Sequence, residues 1–258
     1  MELNYNIENI YYIRKGKGKK VLLLHGWQSN SNSFKIVFEY LIKNFDVIAI
    51  DFPGFGNSPN PPLDWGIYEY ANIVYNFIKY HNFYPCSLIG HSFGGRVALI
   101  LGSNFPEIID KIILVDSAGI KPKRKIKYYY KIYRYKILKY FTKFYCKFFN
   151  KDFESLILRV KQKLKIKGSL DYENSKELKN IFIKVVNQDL SKEAKKITKP
   201  TLIVWGENDK ETPLYMAKKL NKYIKDSGIV LLENAGHYSF LEQFNKFISA
   251  VNYFLSLD

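Results

Sequence analysis

Ser87-Leu88-Ile89-Gly90-His91-Ser92-Phe93-Gly94-Gly95-Arg96-Val97 passes from a short apolar run, through a serine set between glycines, into a helix-compatible segment. Ser87–Ile89 has the length and composition of a buried strand, and Gly95–Asn104 places apolar residues at three- and four-residue steps, as a helix packed on a sheet does. The G-x-S-x-G between them needs small neighbours because the chain must turn sharply from strand into helix. Such a turn holds the serine in a strained backbone with its hydroxyl exposed. The positive end of the following helix dipole favours negative charge beside that hydroxyl.

Outward from this turn the pattern repeats. Val21–Leu24, Val47–Ile50, Ile112–Val115, Thr201–Trp205 and Ile229–Leu232 read as strands, and Phe34–Ile42, Tyr68–Tyr80, Pro213–Tyr223 and Phe240–Leu255 as helices. Ile7–Arg14, followed by Lys15-Gly16-Lys17-Gly18, reads as a leading antiparallel strand and turn. Strand followed by helix, repeated, predicts an α/β fold with a doubly wound, mostly parallel sheet covered on both faces. Residues 119–190 break the pattern and hold no convincing strand. They predict a helical cap inserted into a core made of residues 1–118 and 191–258. Within the insertion Ile126, Tyr130, Tyr133, Ile137, Tyr140, Phe144 and Phe148 alternate steps of four and three, forming one aromatic-aliphatic helical stripe among lysines.

The net charge of +16 is concentrated there. Lys121–Gly168 carries 17 Lys or Arg against two acidic residues, leaving +1 for the other residues of the 258-residue chain. Two readings of this stretch stand side by side: the stripe packs over an acyl pocket while solvated lysines cover the outside, or the stretch makes weak contact with an anionic membrane or polyanion surface. No specific nucleic-acid partner is expected. No apolar run approaches the ~20 residues a membrane helix needs, and the first residues show no signal-peptide pattern. Cys86 and Cys146 are too few and too far apart for a disulfide framework, which together predict a cytoplasmic protein. The four histidines and two cysteines show no zinc-type spacing, and Lys15-Gly16-Lys17-Gly18 precedes a strand where a phosphate loop would follow one. Neither metal nor cofactor is expected.

A serine hydroxyl is a weak nucleophile and needs a base within hydrogen-bond reach. Of the four histidines, His25 and His91 lie beside backbone turns, and His81 follows a helix on its polar side. His237, in Asn234-Ala235-Gly236-His237-Tyr238-Ser239, follows the last strand, where sites in open α/β sheets collect. It is the predicted base for Ser92. The base requires an acid to orient it. Asp209, after the penultimate strand, is the candidate, with Glu207 and Asp116 as rivals. The backbone N–H groups of Phe93 and Trp27 are the candidate oxyanion hole. His25 is expected to brace its loop, and His25, Gly26, His91 and Tyr238 are the candidate pocket residues.

His25-Gly26-Trp27, Asp51-Phe52-Pro53-Gly54-Phe55-Gly56-Asn57-Ser58, Gly90–Gly95, Gly206-Glu207-Asn208-Asp209 and Asn234–His237 resemble, in order, five blocks of the α/β-hydrolase superfamily. The chain looks most like its cap-bearing branch of small esterases, C–C hydrolases and cofactorless perhydrolases. The resemblance implies a Ser92, Asp209, His237 triad, a cap after Ser117 and a structural role for the Asp51–Ser58 turn. Haloalkane dehalogenases of the superfamily carry Asp where Ser92 stands, which disfavours that chemistry. Gly94-Gly95-Arg96 resembles a menaquinone-pathway lyase branch, although that branch usually has Tyr in place of His91; Arg96 itself reads as a surface or anchoring residue. The expected activity is carboxylic-ester hydrolysis of a small molecule through an acyl-serine, with C–C hydrolase or lyase chemistry on the same triad as the alternative.

Overall fold

A computed structural model of the chain describes residues 5–122, 126–149, 152–163 and 174–257. The elements begin with β1 (Tyr12–Lys15), β2 (Lys20–Leu24), α1 (Lys35–Leu41), β3 (Asp46–Ile50), α2 (Ile67–Tyr80), β4 (Cys86–His91), α3 (Phe93–Asn104) and β5 (Ile109–Val115). Then come α4 (Ile126–Phe149), α5 (Phe153–Lys163), α6 (Lys179–Asn187), α7 (Ser191–Ala194) and β6 (Thr201–Gly206). The chain closes with α8 (Tyr215–Tyr223), β7 (Ser227–Leu232), α9 (Ser239–Glu242) and α10 (Phe244–Ser256). Two compact units result, Met1–Lys121 with Ser175–Asp258, and Pro122–Asn174. The second unit is narrower than the expected 119–190 insertion, because Leu178, Ile181, Val185 and Leu190 are buried in the same core as the sheet.

The first unit is a seven-stranded sheet in the order β1-β3-β2-β4-β5-β6-β7. Only β1 is antiparallel, pairing Tyr12 with Ile50 and Lys15 with Val47; the other five pairings are parallel. Alternation along β2 shows why both faces are covered. Leu22 and Leu24 join the core on one face, with Leu88, Leu114 and Trp205, while Val21 and Leu23 join the other, with Ile89, Val204, Phe247 and Val251. Buried parallel strands therefore read as continuous apolar runs.

Several expected elements differ at their ends. The leading strand begins only at Tyr12, because Ile7–Asn9 forms a 3-10 turn capped when the Asn6 side chain accepts the Glu8 N–H at 3.1 Å. The Pro213 helix starts at Tyr215. The last helix is split at Gln243, whose backbone (φ −127°, ψ 48°) is not helical. Its preceding turn is pinned where the Glu242 carboxylate accepts the Gly236 N–H at 2.8 Å.

The second unit is a helical pair. α4 and α5 pack on each other, and Cys146 and Ile157 are buried. Asp152 caps α5 by accepting the Ser155 N–H at 3.0 Å. Among the described residues no helix is long and apolar enough to cross a membrane.

Candidate active site

Five neighbouring strands deliver their carboxyl ends to one place. β4 turns into α3 at Ser92, whose φ of 48° and ψ of −106° lie in a region few non-glycine residues adopt. Close approach explains the flanking glycines. A Cβ at Gly94 would sit 2.0 Å from the Leu24 carbonyl oxygen, and one at Gly90 would sit 2.6 Å from the Gly94 oxygen. The turn is held by Gly94 N–H donating to His25 O and by Ser92 N–H donating to Val115 O, each at 3.0 Å.

β7 ends before the loop that carries His237, and β6 before the loop that carries Asp209. His237 Nε2 stands 3.0 Å from Ser92 Oγ and its Nδ1 2.8 Å from Asp209 Oδ2. With the carboxylate on Nδ1, that nitrogen carries the proton and Nε2 is free to accept from the serine. Glu207, the near rival, is exposed. Asp116 is wholly buried but faces other partners: its Oδ1 accepts the Gly206 N–H at 2.8 Å, and its Oδ2 accepts the Ser239 N–H and hydroxyl. It thus ties the end of β6 to the turn after His237.

Electrostatics follow from these contacts. Burial pushes the Asp209 carboxyl up, but hydrogen bonds from His237 and Thr212 outweigh it and hold the group below the ordinary carboxylate range. Burial likewise disfavours a charged His237, yet its hydrogen bond to Asp209 and that carboxylate's charge raise it above the ordinary imidazole value. Exposed Glu211 adds to this from 3.5 Å. Desolvation pushes Asp116 up to about 7, with the nearby Asp209 charge in the same direction.

Sequence reasoning missed Thr212. Its hydroxyl donates to Asp209 Oδ2 at 2.6 Å and its N–H to Oδ1 at 2.9 Å, while the Glu211 N–H donates to Oδ1 at 2.8 Å. The signal was present as Asp209-Lys210-Glu211-Thr212, a spacing at which an Asp side chain caps the backbone two and three residues on.

The remaining candidates divide. Trp27 and Phe93 come together, their ring centroids 5.2 Å apart, and the indole Nε1 donates to Ser175 Oγ at 3.1 Å. As the first residue of α3, Phe93 has an N–H with no helical carbonyl to bond. His25, a candidate pocket residue, is fully buried with both ring nitrogens engaged. Nδ1 donates to Gly26 O at 2.7 Å and Nε2 accepts the Phe52 N–H at 2.9 Å, so it braces the loop and offers a substrate nothing. Burial lowers it to about 4, which keeps it neutral. His91 is also buried; its Nε2 donates to the His237 carbonyl at 2.7 Å, which holds the His237 backbone from behind. A Cβ on Gly26 would meet His91 Nδ1 at 2.9 Å, so the two are neighbours in the wall. Tyr238 is exposed, its ring 5.1 Å from that of His91. The Asp51–Ser58 turn is structural: Asp51 accepts the Ser31 and Asn57 N–H groups, and Ser58 Oγ donates back to Asp51 O. His81 packs its ring on Tyr12 and Phe77 where a polar face was expected. Arg96 is a buried anchor that donates to Gln188 O at 2.9 Å. Among the described residues no cluster of three His, Cys, Asp or Glu could hold a metal ion.

Residues 19–176 match the family model described as alpha/beta hydrolase fold, and residues 182–256 match one described as TAP-like protein. The first match spans more than half of the chain, which therefore belongs to the α/β-hydrolase family. Among curated relatives, the uncharacterized hydrolase YugF of Bacillus subtilis is 27% identical over 245 residues, 89% of this chain and 88% of its own. The 2-hydroxy-6-oxo-6-(2'-aminophenyl)hexa-2,4-dienoic acid hydrolase of Metapseudomonas resinovorans is 25% identical over 257 residues, 95% of this chain and 87% of its own. Among solved structures, an esterase from Exiguobacterium antarcticum superposes with a TM-score of 0.72 at 26% identity, covering 96% of both chains.

Proposed function

We propose that the chain is a carboxylic-ester hydrolase that works through an acyl-serine on Ser92. The observation that carries this is the line of Ser92 Oγ, His237 and Asp209, with gaps of 3.0 and 2.8 Å. His237 Nε2 takes the hydroxyl proton as Ser92 Oγ attacks the ester carbonyl. The Trp27 and Phe93 N–H groups receive the oxyanion. The tetrahedral intermediate collapses, and the alcohol leaves with the proton from His237. Water, deprotonated by the same imidazole, then attacks the acyl-serine and releases the acid. Asp209 keeps the imidazole in the required tautomer and stabilises its charged form.

The substrate class is a small-molecule ester, and two unpaired buried cysteines suit a cytoplasmic setting. The test pairs short acyl p-nitrophenyl esters with a fluorophosphonate label. Ser92→Ala should lose the label and at least about 10⁴-fold in kcat. Undiminished hydrolysis by that variant refutes the reading. A second reading, hydrolysis of a C–C bond on the same residues, is favoured by the Metapseudomonas relative, whose named substrate contains no ester. It predicts turnover of 2-hydroxy-6-oxo-dienoic acids and poor turnover of the esters. The basic helices bring a separate candidate partner, an anionic surface.

A further inference from the structure

We infer that α4 is a docking surface for an anionic lipid bilayer, lying along the headgroup plane. The inference concerns only the helical pair and stands or falls independently of the chemistry at Ser92. α4 has 24 residues, among them seven Lys or Arg and no acid. Among its described side chains the buried side is narrow. Leu138 and Thr142 are half-buried and Cys146 is buried, one turn apart from the next on one face. The aromatic-aliphatic stripe lies on the opposite face and is open: Tyr133 is 65% exposed, Tyr140 71%, Phe144 65% and Phe148 75%. Ile126, Tyr130, Ile137 and Phe141 extend it along the helix, each more than half exposed. Exposed contiguous apolar surface of this kind marks an interaction site in a folded protein.

The flanks say which partner fits. Lys136, Lys143 and Lys147 run along one side of the stripe at steps of seven and four, and Arg134 stands on the other; all are exposed. Rows of cations beside an apolar sector place ammonium and guanidinium groups at lipid phosphates while the rings and aliphatic chains enter the acyl boundary. A second copy of the helix would bring seven like charges against seven, which disfavours self-pairing. Single-stranded nucleic acid has phosphates and stacking faces, but no apolar phase for Ile126 and Ile137. The helix is not built to cross the bilayer.

The experiment is sedimentation of the full chain with phosphatidylcholine vesicles, with and without phosphatidylglycerol, at low and high salt. Binding is expected to the anionic vesicles, to weaken steeply with salt, and to be much lower on neutral ones. Lys143→Gln with Lys147→Gln should weaken anionic binding about 30-fold, from about fivefold per cation near a charged surface. Phe144→Ser with Phe148→Ser should weaken it as well, since the rings supply the apolar part. All four positions are exposed, so an unchanged thermal transition and an unchanged far-ultraviolet circular dichroism spectrum show that the variants are folded. Absence of vesicle binding by the parent chain at low salt overturns the inference. So does vesicle binding unaffected by either double variant, or binding of a single-stranded oligonucleotide or of a second copy that depends on the stripe while vesicles are ignored.

Discussion

At φ 48° and ψ −106°, Ser92 holds a backbone that costs about 1–3 kcal/mol, and the surrounding hydrogen bonds and glycine contacts keep it there. What the strain achieves is direction: the hydroxyl reaches His237 Nε2 from the end of β4. The raised His237 has a consequence for pH. In the proposed mechanism His237 accepts a proton only when neutral, so the rising limb of kcat/KM should lie above pH 6.5, the ordinary imidazole value. Asp209→Asn should move that limb to lower pH and reduce kcat by about 10⁴-fold, measured as a pH–rate profile on a soluble ester. Thr212→Val removes the hydroxyl that donates to Asp209, and should lower kcat by about tenfold while KM stays close to the parent value. Asp116 carries an opposite pH signature. Its folded value of about 7 lies above the ordinary 3.8, so the native state keeps a proton that the unfolded chain releases between those values. Its contribution to stability therefore falls as pH climbs through that window and levels off above it. Asp116→Asn cannot titrate. Its loss of stability relative to the parent should be greater at pH 5 than at pH 8, by about 1–3 kcal/mol in urea unfolding. An equal loss at both pH values would contradict the burial account.

At the scale of elements, the strand–turn–helix of β4 and α3 works because three backbones meet at the glycines. Gly94→Ala forces a methyl against the Leu24 carbonyl, and its cost should exceed about 3 kcal/mol, as for severe overpacking. Gly228 in β7 is the contrast, since a Cβ there meets nothing within 4 Å. Gly228→Ala should raise stability by about 0.5–1 kcal/mol, by reducing the freedom of the unfolded chain. Thermal denaturation of both variants checks the pair. The same element scale explains the split of the last helix. Periodicity ran unbroken from Phe240 to Leu255, but Glu242 accepts the Gly236 N–H and Gln243 Nε2 donates to Glu233 O. Bonds to the loop that carries His237 thus outweigh one more helical turn.

At the scale of the molecule, the sheet separates two apolar layers that have no residue in common. Leu22→Ala on one face and Phe247→Ala on the other should each cost about 2–5 kcal/mol. Their costs should add within about 0.5 kcal/mol in denaturant unfolding, because the two residues belong to different layers. The sequence by itself determined the alternation of strand and helix, the serine turn and which histidine stands beside Ser92, because these rest on local rules: apolar run length, glycine at a close approach, and a histidine after the last strand. It also placed seven of the stripe residues on one helical face. Only the tertiary structure decided which carboxylate meets His237 and which braces the loops. Asp116 and Asp209 both follow buried strands, and nothing local distinguishes a side chain turned toward an imidazole from one turned toward Ser239. It likewise decided that α4 packs on α5 with Cys146 buried and its rings exposed, since periodicity defines a face but not what lies against it.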